Sequence, residues 1–468
     1  MKSKSFRTGI LKCLVLVLIG VVPLAAQTKK EREQAKKLQD QADKAFNQKN
    51  YRVAADTYGS SIAVVANNAY AHYWKGNAHV NLKENVQALN EFTIALSQGF
   101  KPIEIYRVRW PVYRDQTDYD GALNDIRAGL NLEPKDLNLL VALGDISMAR
   151  RAYPEALAAF QKVSQITPND ADVYYNLARL GHEMGDTKAQ EAAANMALSK
   201  GTRFPGEAFF LLGDARQKLK NPEGAIDAYK RAIAAKFNTY DSYRRLAEVY
   251  SRENRFNDAI DTSKKALMDF PRDGKIYTDL GWYYSLADRP NDAVQASKAG
   301  VDLLPTQYQA YAYLCRAQIE VGRSANDPKN YDFAITACNT SLKLKADDGE
   351  TYFYLGNAYV SQGKSAEADR MYNKAFSGLT ADVVTEALDS DKWYLLGGAS
   401  LGVRRYDKAV EAYSKCLDLS PRFLKARFGL GLAYVYRKNK SAATEQYNIM
   451  LQADPAYAAK LKTEIDKM

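Results

Sequence analysis

Three histidines are the residues of this 468-residue chain that come closest to offering metal or acid–base chemistry. His72 and His79 stand seven positions apart. On a helix that spacing puts both on one face, as a pair of metal ligands would require. No third ligand accompanies them, and His182 has no Cys or His nearby. The four cysteines contain no CxxC spacing, so no zinc-type cluster is expected. Cys315 and Cys338 could pair in an oxidising compartment, but with Cys416 they are read as unpaired small core residues. Nucleophilic catalysis finds no GxSxG, phosphate binding no P-loop, and dinucleotide binding no glycine-rich turn opening from a strand. The sequence therefore predicts no catalytic residues, no metal site and no cofactor.

Composition points to binding through surfaces. Lys and Arg number 65 against 55 Asp and Glu, a net charge of +10. Residues 1–26 carry Lys2, Lys4, Arg7 and Lys12 and no acid. The remainder, 61 minus 55, is only +6 and its signs are interleaved, whereas a nucleic-acid binder concentrates its basic charge on one face. No nucleic-acid partner is expected. Tyr is the conspicuous residue, 32 against 16 Phe, and it suits surfaces that are half buried and half wet. The chain is too long for one compact core.

The first residues read as a secretory signal: a positive start at Lys2, Lys4 and Arg7, a short apolar run over 14–22, then Pro23-Leu24-Ala25-Ala26 before Gln27. The run is shorter than the roughly twenty residues a membrane helix needs. Residues 1–26 are assigned as a signal peptide, with export to the periplasm or envelope and no membrane span in the mature chain. An uncleaved anchor is the alternative. Cys13 precedes the apolar run and is not placed as a lipoprotein cysteine.

From residue 35 the chain repeats itself. Ala54, Ala88, Ala122 and Ala156 are each 34 apart; Ala225, Ala259 and Ala293 keep the step, as do Ala334 with Ala368 and Ala409 with Ala443. Four residues after the alanine stand Tyr58, Phe92, Ile126, Phe160, Tyr229, Tyr372, Tyr413 and Tyr447. Twelve after it come prolines, from Pro134 to Pro455, and twelve before it a small residue such as Gly76, Gly144, Gly281, Gly356, Gly397 or Gly431. Spacings of three and four place aromatic, Leu and small residue on one helix face. The small residue lets a second helix approach, and proline ends that helix. His72 and His79 sit in aromatic columns of this pattern, so packing is preferred to metal binding.

The unit, aromatic-x2-Leu-Gly/Ala-x2-Tyr followed by Ala-x3-aromatic and Pro, is cleanest at Tyr277-x2-Leu280-Gly281-x2-Tyr284 and at Trp393-x2-Leu396-Gly397. It resembles the tetratricopeptide-repeat (TPR) family over residues 35–457. The resemblance implies an all-α fold, an α-solenoid wound as a right-handed superhelix of about twelve TPR helix hairpins. Repeats 1–5 are assigned to 35–203, repeats 6–12 to 204–457, and a polar capping helix to 456–467.

Three places break the pattern. Trp110-Pro111 replaces the small residue of the third unit, so its first helix should kink or start late. The segment around it, from Tyr106 and Arg107 to Arg114, is basic and aromatic. Gln190 stands where alanine is expected, suggesting a change of pitch or a joint between sub-arrays. The insertion at 324–330 is read as a longer turn within a hairpin, which loop-closure entropy tolerates cheaply. A second surplus lies between Thr380 and Lys392.

In the TPR family the concave groove is lined by first-helix residues at the second, fifth, sixth and ninth positions. That resemblance implies partner-binding roles for Tyr73, Trp74, Asn77, Arg107, Arg179, Arg244, Arg245, Trp282, Tyr313, Arg316, Phe353, Tyr354, Asn357, Tyr394 and Phe428. Some of these positions would instead be buried against a neighbouring helix. The family's carboxylate clamp needs Lys and Asn in three successive units, and Asn77, Asn176 and Asn357 do not supply it. The expected function is a non-enzymatic scaffold that binds a protein or peptide in envelope assembly or secretion. A polysaccharide is the alternative ligand, stacking on Trp282, Tyr354 and Tyr394.

Overall fold

The computed structural model describes residues 28–468, so the segment read as an export signal and Cys13 lie outside the described residues. Every regular element among the described residues is an α-helix, 25 in all, α1 (Lys29–Asn47) to α25 (Pro455–Asp466). Consecutive helices pair into twelve hairpins, from α1–α2 (Tyr51–Val64) to α23 (Leu424–Tyr436)–α24 (Lys440–Ala453), and α25 closes the series. No helix is long and apolar enough to cross a membrane, again among the described residues.

The described residues form two compact units, one up to residue 166 and one over 167–468. In the first, α1 to α8 (Tyr153–Ile166) stack side by side; in the second, α9 (Ala171–Met184) to α25 do the same.

Local chemistry explains the punctuation. Asp136, Asp170, Asp273, Asp348 and Asp389 each accept a backbone N–H in the first turn of the following helix, satisfying donors that helix starts leave orphaned. Prolines open α5 (Pro102–Asp115), α11 (Pro205–Lys218), α12 (Pro222–Ala234), α16 (Pro290–Leu303) and α25, where no N–H is needed. The alanine column is completely buried at Ala54, Ala88, Ala122, Ala156, Ala225 and Ala259. The glycine column faces the aromatic of the second helix: a Cβ on Gly76 would meet the Phe92 ring at 2.7 Å, and one on Gly397 the Tyr413 ring at 2.7 Å.

The breaks in the pattern resolve locally. Helix α5 does not start late; it begins at Pro102 and runs through Pro111. Beside Pro111, Arg109 is buried and forms a two-pronged ion pair with Asp125 at 2.7 and 2.8 Å. Gln190 is fully buried, and its amide donates to the Leu211 carbonyl at 2.8 Å and to Asp214 at 3.1 Å, tying α10 (Thr187–Lys200) to α11. The 324–330 insertion is not a long turn. It lengthens both helices, α17 (Tyr308–Ala325) and α18 (Lys329–Leu344), leaving a turn at 326–328. The second surplus similarly extends α20 (Ser365–Thr385).

Cys315 and Cys338 are disulfide-bonded, with Cα atoms 5.3 Å apart, which corrects the expectation of unpaired thiols. Cys315 holds the small-residue column of its hairpin, where other units have glycine, and Cys338 the aromatic column that covers it. The crosslink replaces a glycine–ring contact. Cys416 is free and buried.

Candidate functional site

In the first unit the implied groove residues are engaged locally. Tyr73 stacks on Phe100 at 4.3 Å, and Trp74 meets Phe46 edge-on at 5.2 Å. The Asn77 amide donates to the Tyr73 carbonyl at 2.9 Å. Arg107 is held by Asp136 at 2.7 Å and Glu133 at 2.6 Å. His72 and His79 bond Glu91 and Glu84 at 2.6 and 2.7 Å, one carboxylate each. Among the described residues no group of three or more His, Cys, Asp or Glu side chains is placed to hold a metal ion.

The second unit curves enough for residues 418–425 to reach the turns of earlier hairpins. Lys220 donates to the Asp418 carbonyl at 2.6 Å, Arg422 pairs with Glu253 at 3.2 Å, and Lys425 pairs with Asp288 at 3.0 Å. The same unit holds a recess of about 340 Å³. One wall is made by first helices standing side by side: α13 (Thr239–Arg252), α15 (Gly274–Leu286) and α17. The N-terminus of α21 (Ser390–Gly402) faces them.

Four of the implied groove residues meet there: Arg244, Arg245, Trp282 and Tyr313. Arg244 pairs with Asp279 at 2.9 Å, Arg245 with Glu248 at 3.4 Å, and Arg252 with Glu248 at 2.5 Å. Five carboxylates line the recess (Asp241, Glu248, Asp279, Asp389 and Asp391) against three guanidiniums. The surplus has an electrostatic signature. Burial, reinforced by Asp389 and two glutamates, raises the Asp391 carboxyl to about 7 despite Arg252 nearby. Burial also raises Asp279 above the usual carboxylate range, with Arg244 opposing it.

The other implied residues divide between interior and margins. Arg316 and Tyr354 are only 8% and 2% exposed. The Arg316 guanidinium lies over the Trp282 ring at 4.2 Å and bonds Glu320 at 3.1 Å, and the Tyr354 hydroxyl donates to Glu350 at 2.8 Å. Trp282 carries Tyr313 stacked at 5.2 Å as well. Phe353 lies tilted against Tyr372 at 6.1 Å, and the Asn357 oxygen accepts the Tyr372 hydroxyl at 2.8 Å. Tyr394 packs against Phe423 at 5.0 Å and Phe428 against Tyr457 at 5.3 Å. Arg179 lies near Asn176 and over Tyr175. The recess acids were missed although Asp241, Glu248, Asp279 and Asp391 occupy the second, ninth, sixth and second positions of their units, because the reading draws only aromatic, Arg and Asn side chains from those columns.

Family models described as tetratricopeptide or TPR repeats match residues 40–99, 144–185, 206–239, 349–377 and 394–458. The chain belongs to the tetratricopeptide-repeat family. It is similar to tetratricopeptide repeat protein 37 of Xenopus laevis, 27% identical over 118 residues, which is 24% of this chain and 8% of that protein. To human superkiller complex protein 3 it is 28% identical over 88 residues, 19% of this chain and 6% of that one. The matched stretches thus span a small fraction of those relatives' lengths. Among solved structures, a tetratricopeptide repeat protein from Parabacteroides merdae is 17% identical, with a TM-score of 0.44, covering 56% of this chain and 98% of that one.

Proposed function

We propose that this chain is a non-enzymatic, exported scaffold that binds a segment of a partner protein in the recess of its second unit. The observation that carries the reading is the recess lining, an aromatic wall at Trp282 and Tyr313 facing more carboxylates than guanidiniums. Aromatic and Arg side chains dominate binding hot spots. The charge imbalance suits a partner that brings a basic side chain, since burial, with Asp389 and two glutamates beside it, raises the Asp391 carboxyl and a cation would favour its charged form. Trp282 already carries Arg316 and Tyr313 on its ring, and Tyr354 is buried, which favours a protein segment over a stacked sugar. Export is supported by the N-terminal charge and apolar pattern and by the Cys315–Cys338 bond, a feature of oxidising compartments.

The test compares capture of native envelope proteins by the wild type and by Arg245→Ala with Asp391→Asn. Arg245 can be removed without stranding Glu248, which keeps Arg252. A partner held in the recess should be lost from the double variant while helicity is unchanged. Equal recovery of every captured protein would refute the assignment.

A further inference from the structure

The closure of the second unit on itself is made by one corner, residues 418–425, between α22 (Tyr406–Leu419) and α23. It touches three successive hairpin turns in order. Lys220 reaches the Asp418 carbonyl at 2.6 Å, Glu253 takes Arg422 at 3.2 Å, and Lys425 donates to the Ser285 carbonyl at 3.1 Å and to Asp288 at 3.0 Å. Lys220, Asn254 and Asp288 are the left-handed residues of those turns, with φ of 58°, 62° and 56°. Lys220 and Asp288 meet the corner at that left-handed position, and Glu253 meets it one residue earlier. Pairing joins residues 137 to 198 apart in sequence. Each ion pair joins a shielded partner to an exposed one, Glu253 to Arg422 and Lys425 to Asp288, and exposed ion pairs each contribute little.

We propose that this corner is an electrostatic latch that holds the second unit closed over its recess and opens to admit a partner segment. Polar links that are half exposed suit a closure that must be reversible; an apolar seam of the same extent would be permanent. Guarding a partner site rests on the reading of the recess given above, whereas opening can be measured with no partner present.

Spin labels at exposed Asp227 on α12 and Lys415 on α22 report the gap by pulsed distance measurement on the full mature chain. At low salt the unaltered latch should give one short, narrow distance. Arg422→Glu with Lys425→Glu should add a longer population, and restoring one pair by Arg422→Glu with Glu253→Arg should remove it. A reversal variant of normal helicity with unchanged distances would overturn the latch. If that variant misfolds, salt decides: going from about 0.1 M to about 1 M cuts the screening length from about 10 Å to about 3 Å. The distance in the latch-intact protein should then lengthen, and no change would overturn the proposal.

Discussion

Arg109 and Asp125 are both buried and bound two-pronged, so neither can lose its partner cheaply. Arg109→Ala should cost about 3–5 kcal/mol in urea unfolding, because it strands a buried carboxylate, whereas Arg109→Met with Asp125→Leu should be close to neutral. Asp391 makes a pH prediction. The folded state holds its proton more tightly than the unfolded chain, whose carboxyl titrates near about 3.9. The stabilisation is therefore complete below that pH and is lost as the pH rises through about 7. Asp391→Asn should flatten the fall in stability between those pH values, as urea midpoints would show. Partner binding through a basic side chain should strengthen over the same rise, as the carboxylate forms. A thiol assay on the denatured, unreduced mature chain should find one reactive cysteine, Cys416; three would mean that Cys315 and Cys338 are not joined.

Elements were the most legible level, since a column repeated every 34 residues states which face of each helix is buried. Ala259 is wholly buried and Lys265, six residues on, is exposed. Ala259→Leu should destabilise by about 1–3 kcal/mol through overpacking, and Lys265→Leu should stay within about 0.5 kcal/mol; thermal or urea unfolding separates the two. The disulfide was written in the same columns. Once the 324–330 insertion is discounted, Cys315 takes the glycine position and Cys338 the ring position of one hairpin. Reading the cysteines by spacing alone hid this. The insertion itself was misjudged because length was assigned to a turn, while Ser324, Ala325, Lys329 and Asn330 extend the two helices that flank it.

At the scale of the whole molecule, repeat columns say which residues face inward but not how tightly an array curves. Curvature accumulates from small rotations at each hairpin interface, so nothing local announces that Lys220 will reach Asp418 or that Arg252 will face Asp391. That is why Arg316 and Tyr354, assigned to groove columns, are enclosed, and why the acids of the recess went unrecognised. The measurement that tests the central claim most directly is site-specific photo-crosslinking in the native envelope, with the reactive group placed at Tyr313 in the recess or at exposed Lys265. The account predicts a discrete protein adduct from position 313, carrying a basic residue in the crosslinked segment, and none from 265. Adducts from 265 alone, or the same adducts from both positions, would contradict it.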